Sequence, residues 1–202
     1  MSNPTGRLQY PLIALDIGNV SMKLSFDQMY RKFGIDPKDA QAVARLWEHG
    51  ALLETGRCTV PEFLERLSKI MRRKRTLQQL LDYWRCGVCE TMPGMTKAVK
   101  DLAAHGVRFS FFSDISPIHL EQVFKYCEFR HLVTGGVYSF EVGAFKMDEG
   151  CQMFHAFDAK YGRPALFFDD RIEVVARAVA YGWNAKQFTS PEEMVDAVSE
   201  IL

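Results

Sequence analysis

Six polar residues of this chain have the types and positions needed to act together on a charged ligand. Five of them end short apolar runs, and the sixth is a lysine in a stretch between two of those runs. The six residues are Asp16, Ser113, Asp114, Lys146, Asp169 and Asp170. Carboxylates that meet at one place repel one another unless a cation lies among them. A hard divalent ion with oxygen ligands, most simply Mg²⁺, would remove that repulsion.

Short apolar runs alternate with amphipathic segments through most of the chain. The predicted strands are residues 11–15, 107–114, 164–170 and 184–188. The predicted helices outside one long helical block are residues 96–106, 117–127, 148–162, 171–182 and 190–202. Strands that alternate with helices form a parallel sheet covered by helices on both faces. The predicted fold class is therefore α/β, a doubly wound parallel sheet, whose ligand site lies at the carboxyl ends of its strands.

The helical block, residues 27–90, interrupts this alternation after the first strand. It has helical spacing and no strand-like run. In its third helix Thr59 is a predicted N-cap, with Glu62 three residues on. The apolar stripe of that helix contains Phe63, Leu64, Leu67, Ile70 and Met71. The predicted organisation is a core made of residues 1–26 and 91–202, with residues 27–90 inserted; residues 131–146 are predicted to be irregular or partly extended.

The composition is that of one ordinary domain with an insertion. The chain has 202 residues, of which 48% are hydrophobic, enough for a packed core. Its 25 Lys and Arg balance its 25 Asp and Glu, so neither nucleic acid nor a membrane is expected as a partner. The N-terminal apolar run is too short for a signal peptide, and five cysteines indicate reduced thiols, so a cytoplasmic location is expected. The sequence leaves the oligomeric state open.

The candidate site residues lie in four short motifs. These are LIALDIGNV around Asp16, FSFFSD around Ser113, GAFKMD around Lys146, and LFFDD at Asp169 and Asp170. In this order and spacing they resemble the motifs of the haloacid dehalogenase (HAD)-like superfamily, and residues 27–90 lie where subfamily IA has its small helical cap. DIGNV is most similar to the branch typified by α-glucose-1-phosphate phosphatase. The resemblance implies a Rossmann-like core and covers the chain from residue 11.

The resemblance also implies a role for each residue. Asp16 would be the nucleophile that attacks phosphorus and forms an aspartyl-phosphate. Mg²⁺ would be held by Asp16, the backbone carbonyl of Gly18 and Asp170, with Asp169 acting through water. The phosphoryl group would be bound by Ser113, Asp114 and Lys146, of which Ser113 and Lys146 also serve catalysis. The implied ligand is a small phosphorylated metabolite, such as a sugar phosphate.

Several positions depart from the family pattern. Most phosphatases of the superfamily have a second Asp two residues after the nucleophile as general acid and base, but this chain has Gly18 there. A positioned proton donor contributes about 10²–10⁴ in rate, so its loss favours leaving groups that depart with little protonation. The other departures are Asp114 in place of the common Asn, Phe145 and Met147 beside Lys146, and Val174 in place of Asn.

Two hypotheses about function follow from these motifs and departures. The first is an active Mg²⁺-dependent phosphatase, and the second is a catalytically impaired relative that binds a phosphorylated ligand or a protein partner. Haloacid dehalogenases fit less well, because they need no metal and lack the acidic pair of LFFDD.

Each candidate residue also has a purely structural interpretation. Asp16 could be a turn residue or a helix N-cap, and Asp169 with Asp170 could cap the following helix. Ser113 could start a helix, and Lys146 could be an ordinary surface lysine. The ordered set of four motifs favours the functional interpretation.

Two further features have no place in the motifs. Cys86 and Cys89 form a C-x-x-C pair, which can bind zinc or carry out redox chemistry, but no second pair accompanies it and two reduced thiols are favoured. Residues 72–75 (RRKR) are the densest charge run and are interpreted as a solvated helix end, with an anionic partner or the distal group of a substrate as the alternatives.

Overall fold

A computed structural model describes residues 10–71 and 74–202 of the chain. The strands of this part are β1 (Leu12–Leu15), β2 (Met22–Leu24), β3 (Val88–Thr91), β4 (Arg108–Ser113), β5 (Val133–Tyr138), β6 (Leu166–Asp169) and β7 (Ala185–Gln187). The α-helices are α1 (Phe26–Lys32), α2 (Ala40–Glu54), α3 (Val60–Ile70), α4 (Leu77–Arg85), α5 (Met95–Ala104), α6 (Pro117–Tyr126), α7 (Ser139–Val142), α8 (Gln152–Tyr161), α9 (Ile172–Tyr181) and α10 (Pro191–Ser199).

A five-stranded parallel sheet in the order β5-β4-β1-β6-β7 forms the centre of the molecule. All four residues of β1 are buried, and they alternate between two apolar cores. Ile13 and Leu15 pack with α5, α6 and α10 on one face, whereas Leu12 and Ala14 pack with α8 and α9 on the other. A strand covered on both faces reads as a continuous apolar run, which is why its sequence shows no alternation. The predicted α/β class with a doubly wound parallel sheet is confirmed.

Residues 131–146, predicted to be irregular or partly extended, are extended in part and form the edge of the sheet next to β4. That stretch contains a six-residue strand, β5, which pairs in parallel with β4 with one shift of register, followed by the single turn of α7. Gly135 and Gly136 interrupt the apolar pattern of this strand, so its period cannot be read from the sequence. The loop after α7 carries Lys146.

Helices α1–α4 form a layer with its own apolar core around the fully buried Trp84. The predicted cap of α3 is present, since Thr59 and Glu62 form a reciprocal capping box. The predicted apolar stripe of α3 holds except at Ile70, which is 47% exposed at the end of the helix. The prediction that no strand interrupts residues 27–90 is wrong, because β3 pairs antiparallel with β2. A strand of four residues with mixed polarity, VCET, leaves no periodic signal.

The helical layer docks on α6 of the sheet core. Trp84 Nε1 donates to Ser116 Oγ at 3.3 Å, and the His119 ring, which stacks on Trp84, lies 2.8 Å from the Trp84 carbonyl oxygen. Ile118 of α6 belongs to the apolar core of the layer. The division of the chain into a core and a cap at residues 27 and 90 stays a prediction.

Three further features are the basic run, the C-x-x-C pair and the length of the helices. Arg72 and Arg73 of the basic run lie outside the described residues. Cys86 and Cys89 are free thiols that contact the carbonyl oxygens of Tyr83 and Cys86, respectively. Among the helices that the structure describes, none combines the length and the apolar character needed to cross a membrane.

Candidate active site

The turn after β1 holds Asp16 at the carboxyl edge of the sheet. The Asp16 amide donates to the Phe168 carbonyl of the neighbouring strand at 2.9 Å. The chain then reverses, because the amides of Ser21 and Met22 both donate to the Ile17 carbonyl, at 3.0 and 2.7 Å. The Ser21 hydroxyl donates to the Asp16 carbonyl at 2.7 Å. These backbone contacts place Asp16 at the end of β1 with only 7% of its surface exposed.

The ammonium of Lys146 lies between two of the predicted carboxylates. Lys146 Nζ is 2.9 Å from Asp16 Oδ1 and 2.6 Å from Asp169 Oδ2, and the lysine side chain is 3% exposed. Burial opposes the charged form of Lys146, but the surrounding carboxylates outweigh it and raise its pKa above the ordinary value. Lys146 is therefore a fixed buried cation and not a surface lysine.

Asp16 has a carboxylate that the protein only partly satisfies. Burial raises the pKa of Asp16 to about 7, while the charge of Lys146 lowers it and the charge of Asp169 raises it. The contact with Lys146 lacks hydrogen-bond geometry, so the buried Asp16 Oδ1 accepts no hydrogen bond from the described residues. Since Lys146 is shared between Asp16 and Asp169, a second cation beside the Asp16 carboxylate would further stabilise its ionised form.

The donor set around Asp16 fits a divalent cation. Carboxylate oxygens of Asp16, Asp169 and Asp170 lie within 4.8 Å of one another. Asp169 uses both oxygens on protein partners, because Oδ2 contacts Lys146 and Oδ1 accepts from the Arg171 amide at 3.0 Å. Asp170 Oδ2 accepts from Asn19 Nδ2 at 3.0 Å. This favours Asp170 over Asp169 as a direct ligand, in agreement with the predicted roles, which stay predictions.

Strand β4 brings Ser113 and Asp114 to the same edge. Ser113 ends β4 and is 2% exposed, and the cap of α6 is Ser116, so Ser113 does not start a helix. Asp114 Oδ1 accepts from the Lys146 amide at 2.9 Å, which ties the lysine loop to the end of β4. Burial raises the pKa of Asp114, and the charge of Lys146 opposes that rise.

A cleft of about 660 Å³ opens over these side chains, a size that suits a small metabolite. One wall comes from the helical layer and includes Phe26, Trp47 and Glu54. Of the seven predicted site residues, Asp169 lies beneath the cleft and the other six line it. Those six are Asp16, Gly18, Ser113, Asp114, Lys146 and Asp170.

The departures from the family pattern differ in their relation to the cleft. Gly18 lines it and carries no acid, and a Cβ at this position would lie 2.9 Å from Leu24 Cδ1. The Phe145 amide donates to Asp148 at 2.9 Å and closes the turn that presents Lys146. Val174 is fully buried in the apolar core shared with α8, so this substitution is a packing change.

The cleft residues that were not predicted from the sequence include Glu54, His119 and Arg171. Arg171 directly follows the acidic pair, and that adjacency could have identified it. Glu54 ends α2 and His119 lies in the first turn of α6, and neither belongs to a motif. Only the packing of the helical layer on the sheet core brings these two into the cleft.

Comparison with solved structures identifies the fold. No protein-family model matches the chain, and no curated protein matches it either. A HAD family enzyme from Bacteroides thetaiotaomicron superposes with a TM-score of 0.78 at 16% identity, covering 89% of this chain and 94% of that chain. A structure of that enzyme in complex with magnesium and inorganic phosphate superposes with a TM-score of 0.75.

Two further structures agree with this result. A predicted HAD-like family hydrolase from Porphyromonas gingivalis gives a TM-score of 0.73 at 22% identity, over 95% of this chain and 97% of that chain. A HAD-hydrolase from Bacillus subtilis bound to magnesium gives a TM-score of 0.60 at 13% identity, over 93% of this chain and 98% of that chain. This chain therefore has the Rossmann-like α/β fold of HAD-family hydrolases.

Proposed function

We propose that this chain is a Mg²⁺-dependent phosphohydrolase of the HAD superfamily that acts on a small phosphorylated metabolite. The observation that carries the proposal is the meeting of Asp16, Lys146 and the pair Asp169 and Asp170 at the carboxyl edge of the sheet, under one cleft. The Bacteroides enzyme of the same fold, crystallised with magnesium and inorganic phosphate, supports this choice of cation and ligand.

The proposed reaction is a two-step transfer through Asp16. The Asp16 carboxylate attacks phosphorus, the bond to the leaving oxygen breaks, and an aspartyl-phosphate forms; water then hydrolyses it. Bound Mg²⁺ would supply positive charge against the phosphoryl oxygens and keep Asp16 ionised. Lys146 and the Ser113 hydroxyl would hold the same oxygens as negative charge develops on them.

The finer substrate class is part of this proposal. A phosphoric monoester, and a sugar phosphate in particular, is supported by the likeness of DIGNV to the α-glucose-1-phosphate phosphatase branch. The wall of the cleft formed by α1 and α2 combines the aromatic rings of Phe26 and Trp47 with the carboxyl groups of Asp27 and Glu54. Such a wall offers apolar contact to a ring and hydrogen-bond acceptors to its hydroxyl groups.

The test is phosphate release from a panel of phosphorylated metabolites with and without Mg²⁺. We expect release that needs Mg²⁺ and is abolished by Asp16→Asn, because an amide is not a nucleophile. Asp82→Asn, the same change on the exposed surface of α4, serves as the control and is expected to keep wild-type activity. Folded, metal-loaded protein that releases no phosphate from any ester would contradict the proposal.

A second candidate function is favoured by Gly18, which leaves the usual position of the general acid without one. In that case the chain would bind a phosphorylated ligand or a protein partner without turnover. Such a binder would be stabilised by the ligand against heat, with little sensitivity to Asp16→Asn. An aspartyl-phosphate on Asp16 would exclude it.

A further inference from the structure

The proposed reaction lacks a proton donor at Gly18, so the other acids of the cleft are candidates for that task. Apart from the cluster at the bottom of the cleft, its carboxylic acids are Asp27 of α1, Glu54 of α2 and Asp114 after β4. Asp27 is exposed to solvent. Burial raises the pKa of Asp114 as well, but its Oδ1 already accepts from the Lys146 amide at 2.9 Å, so this carboxyl group is engaged in holding the lysine loop. Glu54 is half-buried, and none of the described residues forms a hydrogen bond with its side chain.

We infer that Glu54 is the general acid and base of this site, carried to the leaving group by the helical layer. This inference rests on the proposed function and adds the residue that replaces the acid missing at Gly18. In this arrangement the donor comes from the wall that the helical layer gives to the cleft and not from the turn that follows Asp16.

The end of α2 is fixed against the sheet core, which defines where Glu54 lies. Gly56, with a φ of +63°, packs so closely on α7 that a Cβ at this position would overlap the Phe140 carbonyl oxygen. The hydroxyl of Ser139, the first residue of α7, accepts from the Ile115 amide at 2.9 Å. Through these contacts the residue after Asp114 and the residues after Glu54 rest on the same short helix.

The surroundings of Glu54 favour the protonated form that a general acid requires. Burial, with a smaller contribution from the charge of Asp114, raises the pKa of Glu54 to about 8. The remaining charged or titratable groups around the cleft are Asp16, Asp27, His119, Lys146, Asp170 and Arg171. On α7, which packs against α2, the titratable residue is the exposed Glu141. At neutral pH Glu54 is therefore protonated and can donate.

The proton and electron balance of the two steps is complete with Glu54. In the first, an Asp16 oxygen bonds to phosphorus, the electron pair of the breaking ester bond moves to the leaving oxygen, and Glu54 gives that oxygen its proton. In the second, ionised Glu54 takes a proton from water, the water oxygen bonds to phosphorus, and the electron pair of the Asp16–phosphorus bond returns to the carboxylate. Glu54 ends protonated, as it began.

The test compares Glu54→Gln with wild type on two phosphomonoesters, p-nitrophenyl phosphate and a primary alkyl phosphate. A nitrophenolate departs without protonation, whereas an alkoxide needs the proton. We therefore expect kcat/KM to fall by about 10²–10⁴ on the alkyl ester and by less than about tenfold on the aryl ester. The wild-type rate on the alkyl ester should also decline above about pH 8, as Glu54 loses its proton. The pH–rate profile of Glu54→Gln should not show this decline.

Control variants keep the inference open to refutation. Glu48→Gln makes the same change on the exposed surface of α2 and should leave kcat/KM unchanged on both substrates. Asp114→Asn should reduce kcat/KM by a similar factor on both substrates, since Asp114 holds the loop that carries Lys146. Thermal unfolding would confirm that each variant folds.

The outcomes separate this inference from the proposed function. Equal losses on both esters in Glu54→Gln, or no loss on either, would overturn the role of Glu54 and leave the phosphohydrolase proposal intact. If Asp114→Asn lost kcat/KM only on the alkyl ester, Asp114 and not Glu54 would be the general acid. Absence of turnover in wild-type protein would overturn both.

Discussion

Replacing Lys146 by methionine tests the electrostatic design of the site. Methionine keeps nearly the same length and apolar stem but removes the ammonium that lies 2.9 Å from Asp16 and 2.6 Å from Asp169. The side chains of all three residues are at most 9% exposed, so water compensates poorly for the lost charge. Two buried carboxylates would then face each other with no cation between them.

The size of the effect follows from the burial of this cluster. Removing one partner of a buried ion pair costs about 3–5 kcal/mol, because the remaining charge stays buried and unpaired. Protonation of one acid limits that cost, and it becomes easier as the pH falls. The ion pair of the wild type also weakens at low pH, since the pKa of Asp16 is raised to about 7. The free energy of unfolding that Lys146→Met loses relative to wild type should therefore be larger at pH 8 than at pH 6.

The assay is urea unfolding followed by tryptophan fluorescence at both pH values, first in EDTA and then with Mg²⁺. We expect the full loss at pH 8 in EDTA, and a larger stabilisation by Mg²⁺ in the variant than in wild type, because the metal becomes the only cation in the cluster. Lys23→Met removes an ammonium that pairs with Glu90 on the exposed surface and should cost less than about 1 kcal/mol. Equal stability of Lys146→Met and wild type at pH 8 would refute this account of the cluster.

Two other variants test how the helical layer is held. Gly56→Ala should lower the free energy of unfolding by at least about 2 kcal/mol, because alanine is strained at a φ of +63° and its Cβ would overlap the Phe140 carbonyl oxygen; an unchanged urea midpoint would contradict this. His119 is neutral in its buried place, with a pKa that burial lowers to about 4 from 6.5, so wild type loses stability as the pH falls through that window. Between pH 7 and pH 5 the free energy of unfolding should fall by about 2 kcal/mol more in wild type than in His119→Phe. An equal pH dependence of the free energy of unfolding in the two proteins would contradict this.

The sequence predicted the parts of the site that depend on strand order. Ser113 and Asp169 end strands and Asp16 directly follows one. The apolar runs of these strands are visible without any structure, and the parallel arrangement puts all three residues at one edge. Lys146 was placed by its motif, but how it reaches Asp16 depends on β5 and α7, whose pattern is obscured by glycines. The distances around its ammonium could come only from the structure.

The wall of the cleft lay beyond sequence reasoning for a different reason. Glu54 is one of several acids in the helical block, and its sequence surroundings do not distinguish it from Glu48 or Glu62. What distinguishes Glu54 is the docking of α2 on α7, a contact between segments more than 80 residues apart in the chain. The strand β3 was missed because four residues of mixed polarity show no period, and they become a strand only by pairing with β2.

The central claim is that Asp16 carries the phosphoryl group during turnover. The direct measurement is acid quenching of wild-type protein during turnover of a phosphorylated substrate, followed by peptide mapping for an acid-stable acyl-phosphate, with Asp16→Asn as the control. We predict phosphate on the peptide that contains Asp16, formed only when Mg²⁺ is present and absent from Asp16→Asn. Turnover at the wild-type rate by Asp16→Asn, or phosphate on any other residue in its place, would contradict the account.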